Sequence, residues 1–202
     1  MDKKLNIEIT DYWKRFINGD DKAYSCLYQL LVQDLFQYGL CFSTDTDLIQ
    51  DCIQDLFVYL YMHRNKLDES CNVKSYLLIS LKHNLHRNIT RESNHEPITE
   101  NMSFLPEISV EENYIENESN QNDRLVEKIL SSLSPRQREI LYYRFIQELP
   151  MEEICKLMEI NYQSAQNLIQ RSLKKIRETY GDHFIMFILC WINMHKDFSY
   201  YS

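Results

Sequence analysis

"LPMEEICKLMEINYQSAQNLIQRSLKKIRETYG", residues 149–181, carries two helical signals separated by a very short turn. Pro150 suits the start of the first, Glu152 and Glu153 complement its positive end, and Ile154, Leu157 and Met158 recur on one side at helical spacing. Cys155 is small enough to allow a close helix crossing. Asn161 is placed to cap the second helix and Gly181 to stop it in a left-handed conformation. At about 100° per residue, Ala165, Ile169, Ser172 and Ile176 form a narrow apolar stripe, with Leu168 and Leu173 at its margins. The opposite side carries Gln163, Gln166, Asn167, Gln170, Arg171, Lys174 and Arg177. A short helix, a tight turn and a longer helix with this face make a helix-turn-helix. Amides pair bidentately with adenine edges and Arg with guanine, while Lys suits phosphates, so the polar face can read duplex DNA. Taken alone, it also fits the solvated face of a bundle helix. The turn of this motif usually carries Gly, and here the position is Glu159, where positive φ costs on the order of 1 kcal/mol. Asn161 is the alternative residue for that conformation.

Upstream, "LSSLSPRQREILYYRF" (residues 130–145) predicts a further helix start. Ser134 can cap, Pro135 suits the first helical position, and Gln137 completes a Ser-x-x-Gln capping box. Ile140, Leu141 and Phe145 follow at helical spacing. Toward the N-terminus, "DKAYSCLYQLLVQDLFQYGLCFS" (21–43) aligns Tyr24, Leu27, Tyr28, Leu31, Leu35, Tyr38 and Phe42 on one stripe. "TDLIQDCIQDLFVYLYMHRN" (46–65) does the same with Leu48, Ile49, Ile53, Leu56 or Phe57, and Leu60. Its other face carries Asp47, Gln50, Asp51, Gln54 and Asp55, which are either solvated or a dock for a basic partner helix. "VKSYLLISLKHNLHRNITR" (73–91) sets Lys74, Lys82, His83, His86, Arg87 and Arg91 along a third helix, with Tyr76 near its start. The basic groups would track phosphates, and Tyr76 is either a core-wall aromatic or a stacking platform for an unpaired base. With only 3 Gly and 4 Pro in 202 residues, the chain is expected to be all-α.

Charge divides the sequence. Residues 1–92 hold 11 basic and 13 acidic side chains, 93–123 none and 8, and 124–202 11 and 9, so the middle segment alone accounts for the net −8. That segment contains two prolines and many Asn and Ser, and it reads as an acidic, flexible linker. Two small helical domains, 1–92 and 124–181, are expected to flank it, with an apolar tail at 182–202. The longest apolar run, Phe184 to Met194, is 11 residues against about 20 for a bilayer span, so no membrane span is expected. Six scattered cysteines without a CxxC pair, and an N-terminus lacking an apolar h-region, predict a cytoplasmic protein with reduced thiols. No metal or other cofactor is expected: Cys71 with His83 and His86, or His63, matches no zinc spacing. Nor is there a Gly-rich phosphate loop or a nucleophile motif, which argues against an enzyme.

Over residues about 20 to 180 the sequence resembles the extracytoplasmic-function sigma factors of bacterial RNA polymerase. Three stretches carry the resemblance, in order. "DLIQDCIQDLFVYLY" is similar to the family's helix that binds the clamp coiled coil of the polymerase β′ subunit. "VKSYLLISLKHNLHRNITR" is similar to the helix that melts and holds the minus-ten promoter element. "LSPRQREILYYRF…MEEICKLMEINYQSAQNLIQRSLKKIR" is similar to the domain that reads the minus-thirty-five element as duplex. Two positions depart from the family pattern: Tyr61 stands where an aromatic, often Trp, ends the clamp-binding helix, and Ile79 stands where an Arg is common.

The resemblance implies a transcription initiation factor that directs core polymerase to specific promoters. Asp47, Asp51, Gln54 and Asp55 would bind core polymerase. Lys74, Tyr76, Lys82, His83, Asn84 and Arg87 would bind the minus-ten element, with the loop Lys66 to Asn72 holding an extruded base. Gln163, Ser164, Gln166, Asn167, Gln170, Arg171 and Lys174 would bind the minus-thirty-five element. The implied partners are the β′ clamp and β subunit of the polymerase, promoter DNA and an anti-sigma factor. The reading from a different class is a stand-alone helix-turn-helix regulator, which would bind duplex DNA without polymerase.

Overall fold

The computed structural model describes residues 3–92, 104 and 128–181, and every regular element among them is helical. The chain divides into two units, Met1–Met102 and Ser103–Ser202, each with its own contacts.

The first unit packs four helices: α1 (Lys3–Ile17), α2 (Asp21–Leu40), α3 (Thr46–Met62) and α4 (Val73–Glu92). Helix α1 was not anticipated, although Ile9, Trp13 and Phe16 repeat at helical spacing and are all buried. It ends where Gly19 takes φ 100°, and Asp20 then caps α2 by accepting from the N–H groups of Lys22 (2.9 Å) and Ala23 (3.2 Å). Leu27, Leu31, Leu35 and Tyr38 form the buried stripe of α2. Tyr28, expected on that stripe, is 41% exposed and rests edge-on against Phe57 at 4.9 Å. Asp45 caps α3, whose inner face is Ile49, Cys52, Ile53, Leu56, Phe57 and Leu60. Asn72 starts α4 by accepting from the Ser75 N–H at 3.0 Å, and Leu77, Leu78, Leu81 and Leu85 bury its inner face.

In the second unit, a helical segment at 128–132 precedes α5 (Pro135–Leu141), α6 (Met151–Met158) and α7 (Tyr162–Tyr180). The capping box at α5 forms in both directions: Gln137 N–H to Ser134 Oγ at 3.3 Å, and Ser134 N–H to Gln137 Oε1 at 3.0 Å. Ile129, Leu133 and Ile176 make the core that joins the start of the unit to α7, flanked by Leu141 and Tyr180. A π-helical turn, Tyr142–Ile146, continues α5. Gln147 closes it through its N–H on the Tyr142 carbonyl (3.0 Å) and its side-chain amide on the Tyr142 hydroxyl (2.8 Å). The extra residue in this turn breaks the period that was expected to carry the stripe to Phe145.

Phe104 lies within the stretch 93–123 and is buried in the second unit, 5.5 Å from the Tyr142 ring. Its carbonyl accepts from Nε (3.0 Å) and Nη2 (2.6 Å) of Arg138, whose Nη1 donates to the carbonyls of Leu130 and Leu133. Burial lowers the pKa of this guanidinium. The rest of the expected linker, and the apolar tail at 182–202, lie outside the described residues.

Helices α2 and α3 cross most closely at Gly39, where a Cβ would stand 2.5 Å from Cγ2 and 3.2 Å from Cγ1 of buried Ile49. Replacing Gly39 by Ala gains helix propensity but forces two packed helices apart. The expected net effect is a loss of about 1–3 kcal/mol in stability, read from the urea midpoint at unchanged m-value.

Candidate nucleic-acid interface

Three surfaces assemble from the residues singled out in the sequence. On α3, Asp47, Asp51, Gln54 and Asp55 are all exposed, and none of the carboxylates forms an ion pair among the described residues. Beneath this face Cys52 is buried and accepts from the Asn88 side-chain amide at 3.2 Å, joining α3 to α4. The face does not stop at Asp55. Val58 and Met62 follow Gln54 at steps of four, and both are exposed, Met62 by 74%. Sequence reading assigned no role to these two residues, although the same spacing would have placed them in line with the acidic groups.

On α4 the structure separates the six residues expected to face DNA. Tyr76, His83 and Arg87 share one side of the helix at steps of seven and four, and His83 and Arg87 are exposed. Asn84 is half-buried and accepts from Arg87 Nη2 at 3.1 Å. Lys82 is half-buried, its ammonium 5.9 Å from the centroid of the Phe42 ring. Lys74 is a correction. Its side chain is only 7% exposed and its ammonium meets Asp34 of α2 at 2.8 Å, so its charge is spent inside the helical unit. One position sets the difference: Lys74 falls in line with buried Leu78, not with Tyr76. Tyr76 is half-buried, with its ring 5.9 Å from that of Trp13, and burial raises its pKa.

The helix-turn-helix is built as its sequence requires, and the strain falls on Glu159. That residue adopts φ 52°, ψ 45°, the left-handed conformation, and ends α6. Asn161 is extended (φ −75°, ψ 162°) and caps α7 by accepting from Ser164 N–H at 2.8 Å. Gly181 has positive φ (79°) but an extended ψ of 169°, not the left-handed helical pair expected for it. Arg136 of α5 donates to the Met158 carbonyl at 3.1 Å, fixing the end of α6, and the Lys175 ammonium donates to the Ser132 carbonyl. On α7, Ala165, Ser172 and Ile176 are buried, and the Ser172 hydroxyl is satisfied by the Leu168 carbonyl at 2.7 Å. Gln163, Ser164, Gln166, Asn167, Gln170, Arg171 and Lys174 are all exposed. Gln163 donates to Asn167 Oδ1 (3.2 Å) and Arg171 Nε to the Asn167 carbonyl (3.2 Å), so part of this face is pre-ordered. Tyr162, at the first position of α7 and 48% exposed, adjoins the same face and was not singled out. On the wheel it falls between the apolar stripe and the polar side.

Comparison with known proteins gives a consistent result. The sigma-70 region 4 family matches residues 123–176, which span the helix-turn-helix. The ECF RNA polymerase sigma factor SigM of Bacillus subtilis (strain 168) is 20% identical over 157 residues, covering 77% of this chain and 93% of that protein. The chain is thus similar to the extracytoplasmic-function sigma factors over most of its length, with a sigma-70 region 4 match confined to its second unit.

The fold likeness extends over most of the chain. A structure of CnrH in complex with the cytosolic domain of CnrY superimposes with a TM-score of 0.56 at 14% identity, covering 85% of this chain and 96% of that one. The likeness is one of helical fold. Among its described residues no helix is long and apolar enough to cross a membrane.

Three substitutions test the geometry. Glu159→Gly removes a Cβ from a left-handed position and is expected to stabilise the second unit by about 1 kcal/mol, measured by denaturant unfolding. Asp34→Ala removes the carboxylate 2.8 Å from the buried Lys74 ammonium and should destabilise by about 2 kcal/mol, whereas Lys74→Met should cost much less. Equal losses from the two would show that Lys74 is not held by Asp34.

Proposed function

We propose that this chain is a sigma factor that binds core RNA polymerase through the α3 face, captures the melted minus-ten strand with α4 and the loop before it, and reads the minus-thirty-five element with α7. The domain assignment follows: 1–92 for core binding and minus-ten melting, 93–123 as an acidic linker, 124–181 for minus-thirty-five reading. One observation carries the proposal. An acidic helix face without internal counterions, an aromatic-and-basic helix side and a helix-turn-helix with an exposed amide and Arg face follow each other in one chain.

The acidic face of α3 suits a basic partner helix, and its continuation through Val58 and Met62 adds apolar area to the same contact. The β′ clamp coiled coil is the partner the resemblance gives for it, with the β subunit for the second domain. Tyr76 and His83 offer aromatic rings, and Arg87 a positive group, to an unstacked strand. Lys74 has no place in that set. Gln166, Asn167, Gln170 and Arg171 offer bidentate donors and acceptors to base edges, with Lys174 for phosphate. No covalent step is asked of the chain, and no cofactor.

Net charge decides how these parts work together. Non-specific DNA affinity comes mainly from phosphate neutralisation, and a chain of net −8 has little to offer. Docking on polymerase supplies the missing cations and makes the second DNA contact effectively intramolecular. The relative solved with the cytosolic domain of CnrY supports regulation of this chain by an anti-sigma partner, and the workplace proposed is the cytoplasm.

Asp51→Arg or Asp55→Arg is expected to abolish co-purification with core polymerase while the helical circular dichroism stays unchanged. Undiminished core binding would remove α3 from the interface. Gln170→Ala and Arg171→Ala should each lower transcription from a selected promoter by about 1–3 kcal/mol in activation terms, about 5- to 150-fold. Scrambling the minus-thirty-five element should erase the difference between variant and wild type. Tight binding of the isolated chain to duplex promoter at physiological salt would favour a stand-alone regulator instead.

A further inference from the structure

The loop between α3 and α4 is braced by α1, a helix outside the stretch that resembles the family. The indole N–H of Trp13, which is 1% exposed, donates to the Asp68 carbonyl at 3.0 Å across 55 residues of sequence. The other side of the brace is Asn18, whose side-chain amide donates to Glu69 Oε1 at 2.9 Å and to the Lys14 carbonyl at 2.9 Å. Within the loop, Asp68 Oδ1 accepts from the N–H (2.8 Å) and hydroxyl (2.7 Å) of Ser70, bonds that lower the pKa of Asp68. Asn72 then caps α4. The backbone is thereby fixed at successive points while the side chains of Asp68, Glu69, Ser70 and Asn72 stay exposed.

The same indole also lies against Tyr76, ring centroids 5.9 Å apart at 54°. One buried side chain therefore touches both the loop and the aromatic that begins the strand-facing side of α4. Helix α1 and the loop also share a groove of about 510 Å³, lined by Asn6, Thr10 and Lys14 on one side and Asn72 on the other.

We propose that Trp13 is a positioning residue for single-strand capture, holding loop Lys66–Asn72 and the Tyr76 ring in one fixed arrangement, with Asn18 as the second anchor. This rests on the reading of that loop as the holder of an extruded base. Fixing a loop before binding removes its ordering cost from the binding step, so a captured base gains affinity at one position and not along the whole strand.

The test uses holoenzyme reconstituted with core polymerase and a single-stranded minus-ten oligonucleotide from a selected promoter, scanned with one abasic site at a time. Wild type should show one position where base removal weakens binding about tenfold. Trp13→Phe keeps an aromatic ring and loses the N–H donor. It should lower affinity for the intact strand about tenfold and abolish the penalty at that one position, leaving the other positions and core affinity unchanged. Asn18→Ala, an exposed change that leaves the core intact, should act in the same direction by about threefold, and it carries the test if Trp13→Phe fails to fold.

A retained penalty at that position in the variants overturns the positioning role. So does a uniform loss across all positions, which is what a merely destabilised helical unit would give. Absence of any position-specific penalty in wild type overturns the reading of the loop, and with it the proposal.

Discussion

Where the cations of this chain are spent governs what the rest of the molecule can do. Basic side chains are few relative to acidic ones, and several are neutralised inside the helical units. Lys74 is taken by Asp34, Arg15 by Asp20 and Asp11, Arg64 by Asp21, and Arg138 by three backbone carbonyls. These contacts tie α2 to its neighbours, and they bury the charges of Lys74 and Arg138 while leaving the Arg15 pair at the surface. The carboxylates of α3 are treated in the opposite way and left in water. A chain with this excess of carboxylates repels a polyanion, and its exposed basic groups on α4 and α7 are accompanied by others on α1, α2 and the loop before α4. Recognition through base edges and stacked rings, which depends less on net charge, is the route that this arrangement leaves open.

Much of the fold was legible because local signals agreed with one another. Ser134, Pro135 and Gln137 mark a helix start at three successive levels of chemistry, and Asn161 sits where only a capping residue satisfies the first turn of α7. The misses have physical causes. Helix α1 hides because its three core residues, Ile9, Trp13 and Phe16, are separated by charged and polar groups in a short N-terminal stretch. The π-helical turn at Tyr142–Ile146 leaves no trace in hydrophobic period, since one inserted residue looks like a slight change of phase. Glu159 was legible as a problem, not as a solution: the geometry of the turn demanded positive φ, and the sequence offered two candidates for it.

The site was legible by residue type and less so by direction. Acidic and amide groups on α3 and α7 point outward as the wheel requires, because both helices have one apolar stripe and a broad polar remainder. Helix α4 is different. It is covered on more of its circumference, packing against α1, α2 and α3, so a Lys at its first turn can be drawn inward where a carboxylate waits. Asp34 lies 40 residues away in sequence, and no local pattern announces that pairing. The exposed Val58 and Met62 show the converse: apolar residues on the outer side of α3 look like core in composition and are surface in fact.

Phe104 changes the reading of the acidic stretch in a way that bears on the length of chain between the two units. Counted from composition, 93–123 offers 31 residues of tether; with Phe104 held under Arg138, the chain left between Glu92 and that anchor is 11 residues. Effective concentration between linked sites falls roughly as the −3/2 power of linker length once the linker can span them, so a shorter tether strengthens the coupling between two recognition events. The anchor also has an electrostatic reason to hold. If Phe104 leaves, its carbonyl is lost to a guanidinium that has no carboxylate among its partners, only the carbonyls of Leu130 and Leu133. A buried cation held, among the described residues, by backbone carbonyls thus keeps Phe104 against the second unit.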